Sequence, residues 1–198
     1  MKKLIYLLFC ISLLGMLAGC GDKTEEELFE TTLSFEKDGK ITDVIVESFD
    51  DGTYSADGLK TFFNEKISDY NSTNIGQGEV ELVEFDVKDG KARASLSFDS
   101  CDTYKAFYDT TAYYGSVNDA YDKGLISETV LKKAGASDTI TKNELMKMKN
   151  EDIIIVSEVV RIHSPKKIEY VSANVEVIDD KDARVSSDST GLAYIVVK

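Results

Sequence analysis

The sequence is poor in the residues that most often perform catalysis or bind metals. Its 198 residues include one histidine, one proline, no tryptophan and three cysteines. A serine triad requires a histidine base, and we expect the single histidine, His163, to have an exposed structural role at a strand end. A catalytic or metal-binding role for His163 is the alternative. The motifs Gly-x-Ser-x-Gly and His-Glu-x-x-His and any zinc-type Cys/His cluster are absent, so the sequence predicts no cofactor and no metal site.

Positive charge is also scarce. Lysine and arginine together number 23 against 36 aspartates and glutamates, which gives a formal net charge of −13. A surface of this sign repels the phosphates of nucleic acids and of anionic lipids. We therefore expect no nucleic-acid partner. Arginine is the rarer basic residue and occurs only as Arg93, Arg161 and Arg184.

The longest hydrophobic run is too short to cross a membrane. It covers 4–17 and is interrupted only by Ser12 and Gly15. As a helix it would span roughly 21 Å, whereas a bilayer core of about 30 Å needs roughly 20 residues. Two lysines precede the run, and the small residues Ala18 and Gly19 lead from it to a cysteine. This order of segments is typical of a signal peptide for export.

The Leu-Ala-Gly-Cys stretch at 17–20 resembles the lipobox of bacterial lipoproteins. In that class the cysteine thiol receives a diacylglyceryl group, and a dedicated signal peptidase cleaves the chain before the cysteine. The resemblance implies a lipoprotein signal peptide over 1–19 and lipid attachment at Cys20, with a lipidated N-terminus and short tether over 20–30. An ordinary buried cysteine in a short hydrophobic helix is the alternative.

The same resemblance implies a location for the mature protein. It would be extracytoplasmic and lipid-anchored to the outer face of the cell membrane, with the lipid bilayer as its partner through acylated Cys20. Two acyl chains such as palmitate satisfy the requirement for stable anchoring, at about 0.8 kcal/mol per buried CH₂. The resemblance ends at Cys20 and implies no function for the rest of the chain.

Cysteine contributes no disulfide in this interpretation. Signal-peptide cleavage removes Cys10 and acylation occupies Cys20, so Cys101 is the one free thiol expected in the mature chain. The domain must then be stabilised by its hydrophobic core alone. We do not expect Cys101 to be a nucleophile, because the neighbouring Asp99 and Asp102 disfavour a thiolate.

An internal repeat covers the first half of the predicted domain. The tetrapeptide Lys-Asp-Gly-Lys begins at Lys37 and again at Lys88, each time between two strand-like runs. Asp-Gly at such a position is a strong hairpin signal, because both residues tolerate positive φ. We expect Val44, Val46 and, after an irregularity, Phe49 to supply one face of a strand in the first hairpin. In the second hairpin, 92–98 keep a strict period of two.

Each hairpin is followed by a predicted amphipathic helix. In the first helix the apolar residues recur along one stripe, and Ser55 or Asp57 is expected to cap it. We expect Asp102 to cap the second. The apolar residues of the two helices are Leu59, Phe62, Phe63, Ile67 and Tyr70, then Tyr104, Phe107 and Tyr108. The pattern predicts two ββα units over 31–112, with at least two of the three phenylalanines in the core; chance similarity of two common hairpins is the alternative.

The remainder of the chain divides into two parts. We predict a helical and loop insert over 113–150 and C-terminal strands over 151–198. The expected helix boundaries in the insert are Ser116, Gly124, Gly135 and Thr141. The whole of 31–198 is therefore predicted to be a single extracytoplasmic α+β domain, with antiparallel β-hairpins, amphipathic helices on one face and a strand-rich C-terminal third.

Carboxylates and tyrosines are the remaining candidates for chemistry. No carboxylate pair stands out among the 36 acidic residues, and a solvated acidic face is the simplest interpretation. For the clustered tyrosines, packing in the core is favoured over a ligand platform; they are Tyr104, Tyr108, Tyr113 and Tyr114. We expect a non-enzymatic binding or accessory module that recognises an unknown envelope ligand or protein. The alternative is a glycosidase-like envelope hydrolase that uses paired carboxylates.

Replacement of Cys20 tests the lipoprotein interpretation. The Cys20→Ala variant lacks the thiol that would receive lipid, so we expect it to lose fatty-acid labelling and to accumulate as unprocessed precursor. Metabolic labelling, with precursor and mature forms separated by electrophoresis, measures both effects. Cys101→Ala is the control and should be labelled and processed normally. Normal processing and membrane retention of Cys20→Ala would contradict the interpretation.

Overall fold

The computed structural model of the chain describes residues 30–49, 55–127, 129–186 and 191–198. Within these ranges the chain forms thirteen strands, four α-helices and one short 3₁₀ turn. The strands are β1 Thr32–Phe35, β2 Ile41–Ser48, β3 Val80–Lys88, β4 Lys91–Phe98, β5 Ala112–Ser116, β6 Val130–Lys133, β7 Thr139–Thr141, β8 Asp152–Val156, β9 Arg161–His163, β10 Ile168–Ser172, β11 Val175–Val177, β12 Asp182–Val185 and β13 Ala193–Val197. The helices are α1 Ala56–Thr73, α2 Cys101–Tyr108, α3 Val117–Asp122 and α4 Lys142–Leu145, and the 3₁₀ turn is Met146–Met148.

The strands form two sheets. The first has seven strands in the order β11-β12-β9-β1-β2-β4-β3, and the second has six in the order β5-β8-β13-β10-β6-β7. The pairing of β1 with β9 is parallel, and the other pairings in the described residues are antiparallel. The predicted α+β class with a strand-rich C-terminal third is confirmed. Strands of the C-terminal third contribute to both sheets.

The core lies in two layers on either side of the six-stranded sheet. The first layer fills the space between the two sheets and includes Leu33, Phe35, Ile41 and Phe98 from one sheet and Ile154, Val156, Ile195 and Val197 from the other. The second layer lies on the far side of the six-stranded sheet, under α3 and α4, and includes Val117, Leu145, Ile153, Ile155 and Val196. Strands β8 and β13 are therefore buried on both faces, which explains their unbroken apolar sequences.

The repeat is visible as two ββα units that meet at the centre of the seven-stranded sheet. The hairpins β1–β2 and β3–β4 join through β2 and β4, and α1 and α2 follow them in sequence. In the β2–β4 pairing Val44 lies opposite Ser95. These two positions are separated by the same number of residues as Lys37 and Lys88. A local two-fold axis therefore passes between equivalent residues of the two units.

The two Lys-Asp-Gly-Lys segments make different turns. In the second hairpin both Asp89 (φ 52°) and Gly90 (φ 72°) have positive φ, as a two-residue type I′ turn requires. In the first hairpin Gly39 alone has positive φ (90°), and its N–H donates to the carbonyl of Glu36 across a longer loop. The prediction that both glycines occupy positive-φ turn positions is confirmed.

Helix boundaries follow local capping chemistry. Ser55 caps α1 by accepting a 3.0 Å hydrogen bond from the N–H of Gly58. The expected cap of α2 was wrong: Ser100 accepts from the N–H of Thr103, and Asp102 lies inside the first turn. Helix α2 begins earlier because serine directly precedes its first residue and satisfies the same free N–H groups.

The phenylalanines of α1 and α2 pack as an edge of the first core layer. Phe63 and Phe107 are half-buried and contact this layer, whereas Phe62 is 40% exposed. Two of the three therefore pack against the core layer, but none is among its buried residues, so the prediction that at least two lie in the core is wrong. The fully buried residues of α1 come later in the helix, at Ile67 and Tyr70. Both α1 and α2 direct their buried apolar residues to the same core layer.

The insert over 113–150 contains more strand than expected. It includes most of β5 and all of β6 and β7, which form part of the six-stranded sheet. The helix starts at Ser116 and Thr141 are confirmed, and Gly124 follows α3 with φ 71°. Gly135 lies in the turn between β6 and β7 and ends no helix. These strands escaped sequence analysis because β6 and β7 are short and largely polar. No helix in the described ranges is long and apolar enough to span a membrane.

Valine substitution at the two turn glycines tests the backbone requirement. A Cβ at Gly39 or Gly90 would meet no atom within 4 Å, so any cost arises from positive φ and not from a clash. We expect Gly39→Val and Gly90→Val each to lower the free energy of unfolding by roughly 1–2 kcal/mol. Urea denaturation measures the change. Asp89→Gly places glycine at another positive-φ position of the same turn and should not lower the free energy of unfolding. Equal stability of all three variants would contradict the requirement for glycine at positive φ.

Candidate functional site

One acidic side chain lies in the core between the sheets. Ile41, Asp43 and Ile45 alternate along β2 on its inward face, and Asp43 is only 4% exposed. The strand pairings place Asp43 directly opposite Leu33 on β1 and Leu96 on β4. A carboxyl group in this position has apolar neighbours on both sides within its own sheet.

Helix α2 supplies the hydrogen-bond partner of Asp43. Tyr104 and Tyr108 are four residues apart and therefore share one face of the helix. The hydroxyl of Tyr108 donates to Oδ2 of Asp43 at 2.9 Å, and the hydroxyl of Tyr104 donates to Oε2 of Glu158 at 2.6 Å. The two rings are 4.9 Å apart, and Tyr104 lies edge-on to Phe98. Glu158 belongs to the loop between β8 and β9. We call Asp43, Tyr104, Tyr108 and Glu158 the carboxyl–tyrosine cluster.

Burial controls the protonation of this cluster. Desolvation raises the pKa of Asp43 to about 7; the hydrogen bond from Tyr108 partly opposes this rise, and the charge of Glu158 adds to it. Burial also raises the pKa of Glu158, against the lowering effect of the Tyr104 hydrogen bond. Burial and the nearby carboxylates hold the pKa values of Tyr104 and Tyr108 well above the ordinary value. Both phenols are therefore protonated donors at neutral pH.

The raised pKa values of its carboxyl groups make the cluster resemble a catalytic carboxyl pair, but a substrate has no access to Asp43. A carboxyl group with a raised pKa beside a second carboxyl group is the usual arrangement for general acid catalysis of glycoside hydrolysis. Asp43, however, is enclosed by Leu33 and Leu96, and its low exposure keeps a glycan from reaching it in this conformation. The arrangement connects three structural elements, and burial favours the protonated form of Asp43.

A second polar cluster lies on the opposite, outward face of the seven-stranded sheet. Arg161 and Arg184 are paired neighbours on β9 and β12, and Asp182 is paired with His163. Nε of Arg161 and Nδ1 of His163 each lie 3.1 Å from a carboxylate oxygen of Asp182. Arg184 binds Glu30 through two hydrogen bonds of 2.6 and 2.8 Å. His163 is 46% exposed at the end of its strand, as predicted.

Arg93 lies on the same outward face at the other end of the sheet. It alternates with the inward residues Ala92 and Ala94, and its guanidinium forms an ion pair with Glu84. A groove of about 230 Å³ surrounds it, lined by Val46, Glu84, Asp86, Lys88, Asp89, Lys91 and Arg93. The outward face therefore carries all three arginines of the sequence and its single histidine.

The residues singled out in the sequence have different positions. Cys20 lies outside the described residues. Burial raises the pKa of Cys101 to about 11, which keeps the half-buried thiol protonated. The tyrosines form no exposed platform: besides the two in the cluster, Tyr113 donates to the carbonyl of Ser116 and Tyr114 donates to Asp152. Core packing, the favoured interpretation, is the one observed.

Sequence reasoning missed Asp43 because it followed the row of Val44 and Val46 along β2. These two valines share one face, but it is the half-exposed outward face, while Ile41, Asp43 and Ile45 face inward. The two valines gave the cleaner apolar row, and an aspartate interrupted the other one. The isoleucines on either side of Asp43 were the available signal.

Comparison of the chain with known protein families, with curated proteins and with solved structures finds no match. The interpretation of these sites therefore depends on their own chemistry.

Removal of single hydroxyl groups tests the two hydrogen bonds of the cluster. Tyr108→Phe leaves the buried Asp43 carboxyl without its donor, and we expect a loss of about 1–3 kcal/mol in the free energy of unfolding at pH 7. Tyr104→Phe should be less costly, because Glu158 is only half-buried and water can replace the lost donor. Urea denaturation of both variants measures the difference. Unchanged stability of Tyr108→Phe would contradict the assigned bond.

Proposed function

We propose that this protein is a membrane-anchored cell-envelope lipoprotein that acts as a non-enzymatic binding or accessory module. Residues 1–19 would be its signal peptide, and the acylated Cys20 would hold it at the outer face of the cell membrane. The described domain begins at Glu30, ten residues beyond Cys20. Ten extended residues reach at most about 35 Å, so the domain would remain close to the membrane.

The placement of arginine and histidine on one sheet face is the observation that carries the binding proposal. The chain has a formal net charge of −13, yet all three arginines and His163 lie on the outward face of the seven-stranded sheet. Arg161 is buried there, whereas the other three side chains reach solvent. Arginine is enriched at recognition surfaces because its planar guanidinium makes several directed hydrogen bonds at once. A scattered distribution would be expected if these residues served solubility alone.

The composition of the outward face suits a polar partner. Its centre carries half-exposed small side chains, which are Thr32, Ser34, Thr42 and Val44. Charged groups lie at both ends, with the groove around Arg93 at one end and Arg184 at the other. The buried apolar residues of all four described helices belong to the two core layers, so these helices pack away from this face. We therefore assign ligand binding to it.

Binding and turnover measurements on the full-length protein test the proposal against the hydrolase alternative. Protein in detergent micelles would be screened against cell-wall glycans and envelope peptides, with saturable binding and product release recorded separately. We expect binding without turnover, weakened roughly tenfold by Arg93→Ala or Arg184→Ala, as for residues central to an interface. Lys60→Ala, on an exposed position of α1 away from this face, is the matched control.

Two outcomes would contradict this assignment. Turnover of a glycan would favour the hydrolase that uses paired carboxylates. Binding that survives both arginine substitutions, in variants with unchanged melting temperatures, would move the ligand site to another surface.

A further inference from the structure

The carboxyl–tyrosine cluster fastens one helix to both sheets. Through Tyr108, helix α2 is bonded to Asp43 on β2 in the seven-stranded sheet. Through Tyr104, it is bonded to Glu158 in the loop that leaves β8 of the six-stranded sheet. The two bonds join positions 65 and 54 residues apart in the sequence. The two hydrogen bonds therefore add to the apolar packing that holds α2 between the layers.

Among the described residues, the side chains that bond to Asp43, pair with it or act on its charge are either neutral or acidic. Helix α2 presents the phenols of Tyr104 and Tyr108, the β8–β9 loop presents Glu158, and β1 and β4 present leucines. On β2 itself the next inward acidic residue is Glu47, whose pKa is also raised by burial. An ionised Asp43 would thus be a buried negative charge close to a second acid, stabilised mainly by one phenol.

We propose that the carboxyl–tyrosine cluster is a proton-gated clasp, in which α2 is held against both sheets while Asp43 carries a proton and is loosened when Asp43 ionises. Ionisation strengthens the single hydrogen bond from Tyr108, but the loss of hydration outweighs this one bond. The buried carboxylate gains further hydrogen-bond donors only when water enters beside α2 or α2 moves. The clasp depends on neither the lipid anchor nor the outward binding face, so it is independent of the proposed function.

The direction of the pH dependence follows from proton linkage. The pKa of Asp43 is about 7 in the folded protein and 3.8 for the ordinary group, so the folded state binds this proton more tightly than the unfolded chain does. The stabilisation is complete below about pH 4 and is lost as the pH rises through about 7. Each pKa unit corresponds to a factor of about ten in the ratio of folded to unfolded molecules.

Thermal unfolding of the full-length protein between pH 5 and pH 8.5 tests the clasp. We expect the melting temperature of the wild type to fall by about 5 °C or more across this range. In Asp43→Asn the amide imitates the neutral carboxyl group, so the fall should be much smaller. Asp69→Asn removes an exposed carboxylate on α1 and should retain the full wild-type dependence. Parallel curves for the wild type and Asp43→Asn would overturn the proposal.

Hydrogen exchange locates the loosening and separates it from general destabilisation. The amides of Tyr104 and Asp109 close the turns of α2, whereas that of Asn74 closes α1. We expect the protection factors of the α2 amides to fall at least tenfold between pH 6 and pH 8 in the wild type, with no matching fall at Asn74 and none in Asp43→Asn. Equal losses in α1 and α2 would refute a local clasp.

Direct titration of the Asp43 carboxyl group decides the matter even if Asp43→Asn fails to fold. Carbon NMR of selectively labelled wild-type protein follows this carboxyl group through the same pH range. The clasp requires a midpoint close to neutral pH, at which the α2 amides also shift. A midpoint close to the ordinary aspartate value of about 4 would overturn the proposal.

Discussion

The burial of β8 and β13 on both faces is the constraint on which the rest of the structure depends. Alternate residues of each strand enter the two core layers, as Ile154 and Ile155 do. Fully burying one such side chain contributes roughly 1.5–3 kcal/mol. Exposure of either apolar face of such a sheet to water is unfavourable, so each face must be covered by other parts of the chain. The repeated ββα units form most of the cover on one side, and α3, α4 and their loops form it on the other.

A carboxyl group between these layers is an exception that the structure accommodates locally. An unpaired buried polar group costs about 1–3 kcal/mol, and the hydroxyl of Tyr108 offsets part of that cost at Asp43. An apolar residue would pack beside Leu33 and Leu96 without needing a partner. With Asp43 at this position, the proposed attachment of α2 depends on one proton and therefore on the pH of the surrounding solution.

The outward face and the N-terminus are connected through Glu30. This residue precedes β1, and its carboxylate is bound by Arg184 and lies 4.0 Å from the guanidinium of Arg161. In the proposed lipoprotein the tether would therefore leave the domain beside the binding face. Occupation of that face and the direction of the tether would then be linked through the same two arginines. The buried cluster lies on the other side of the sheet and serves a separate role.

The sequence by itself determined the features that depend on neighbours along the chain. The turn at Gly90, a cap at Ser55 or Asp57, the period of 92–98 and the α+β class were all predicted, because turn chemistry, capping and periodicity are local. Only the tertiary structure decided which row of β2 faces inward and which acids among the described residues, such as Asp43 and Asp182, are buried with partners. Asp43 acquires its raised pKa from strands and a helix far away in sequence. Burial arises only when the layers assemble, so residues that are neighbours in the sequence are not enough to predict it.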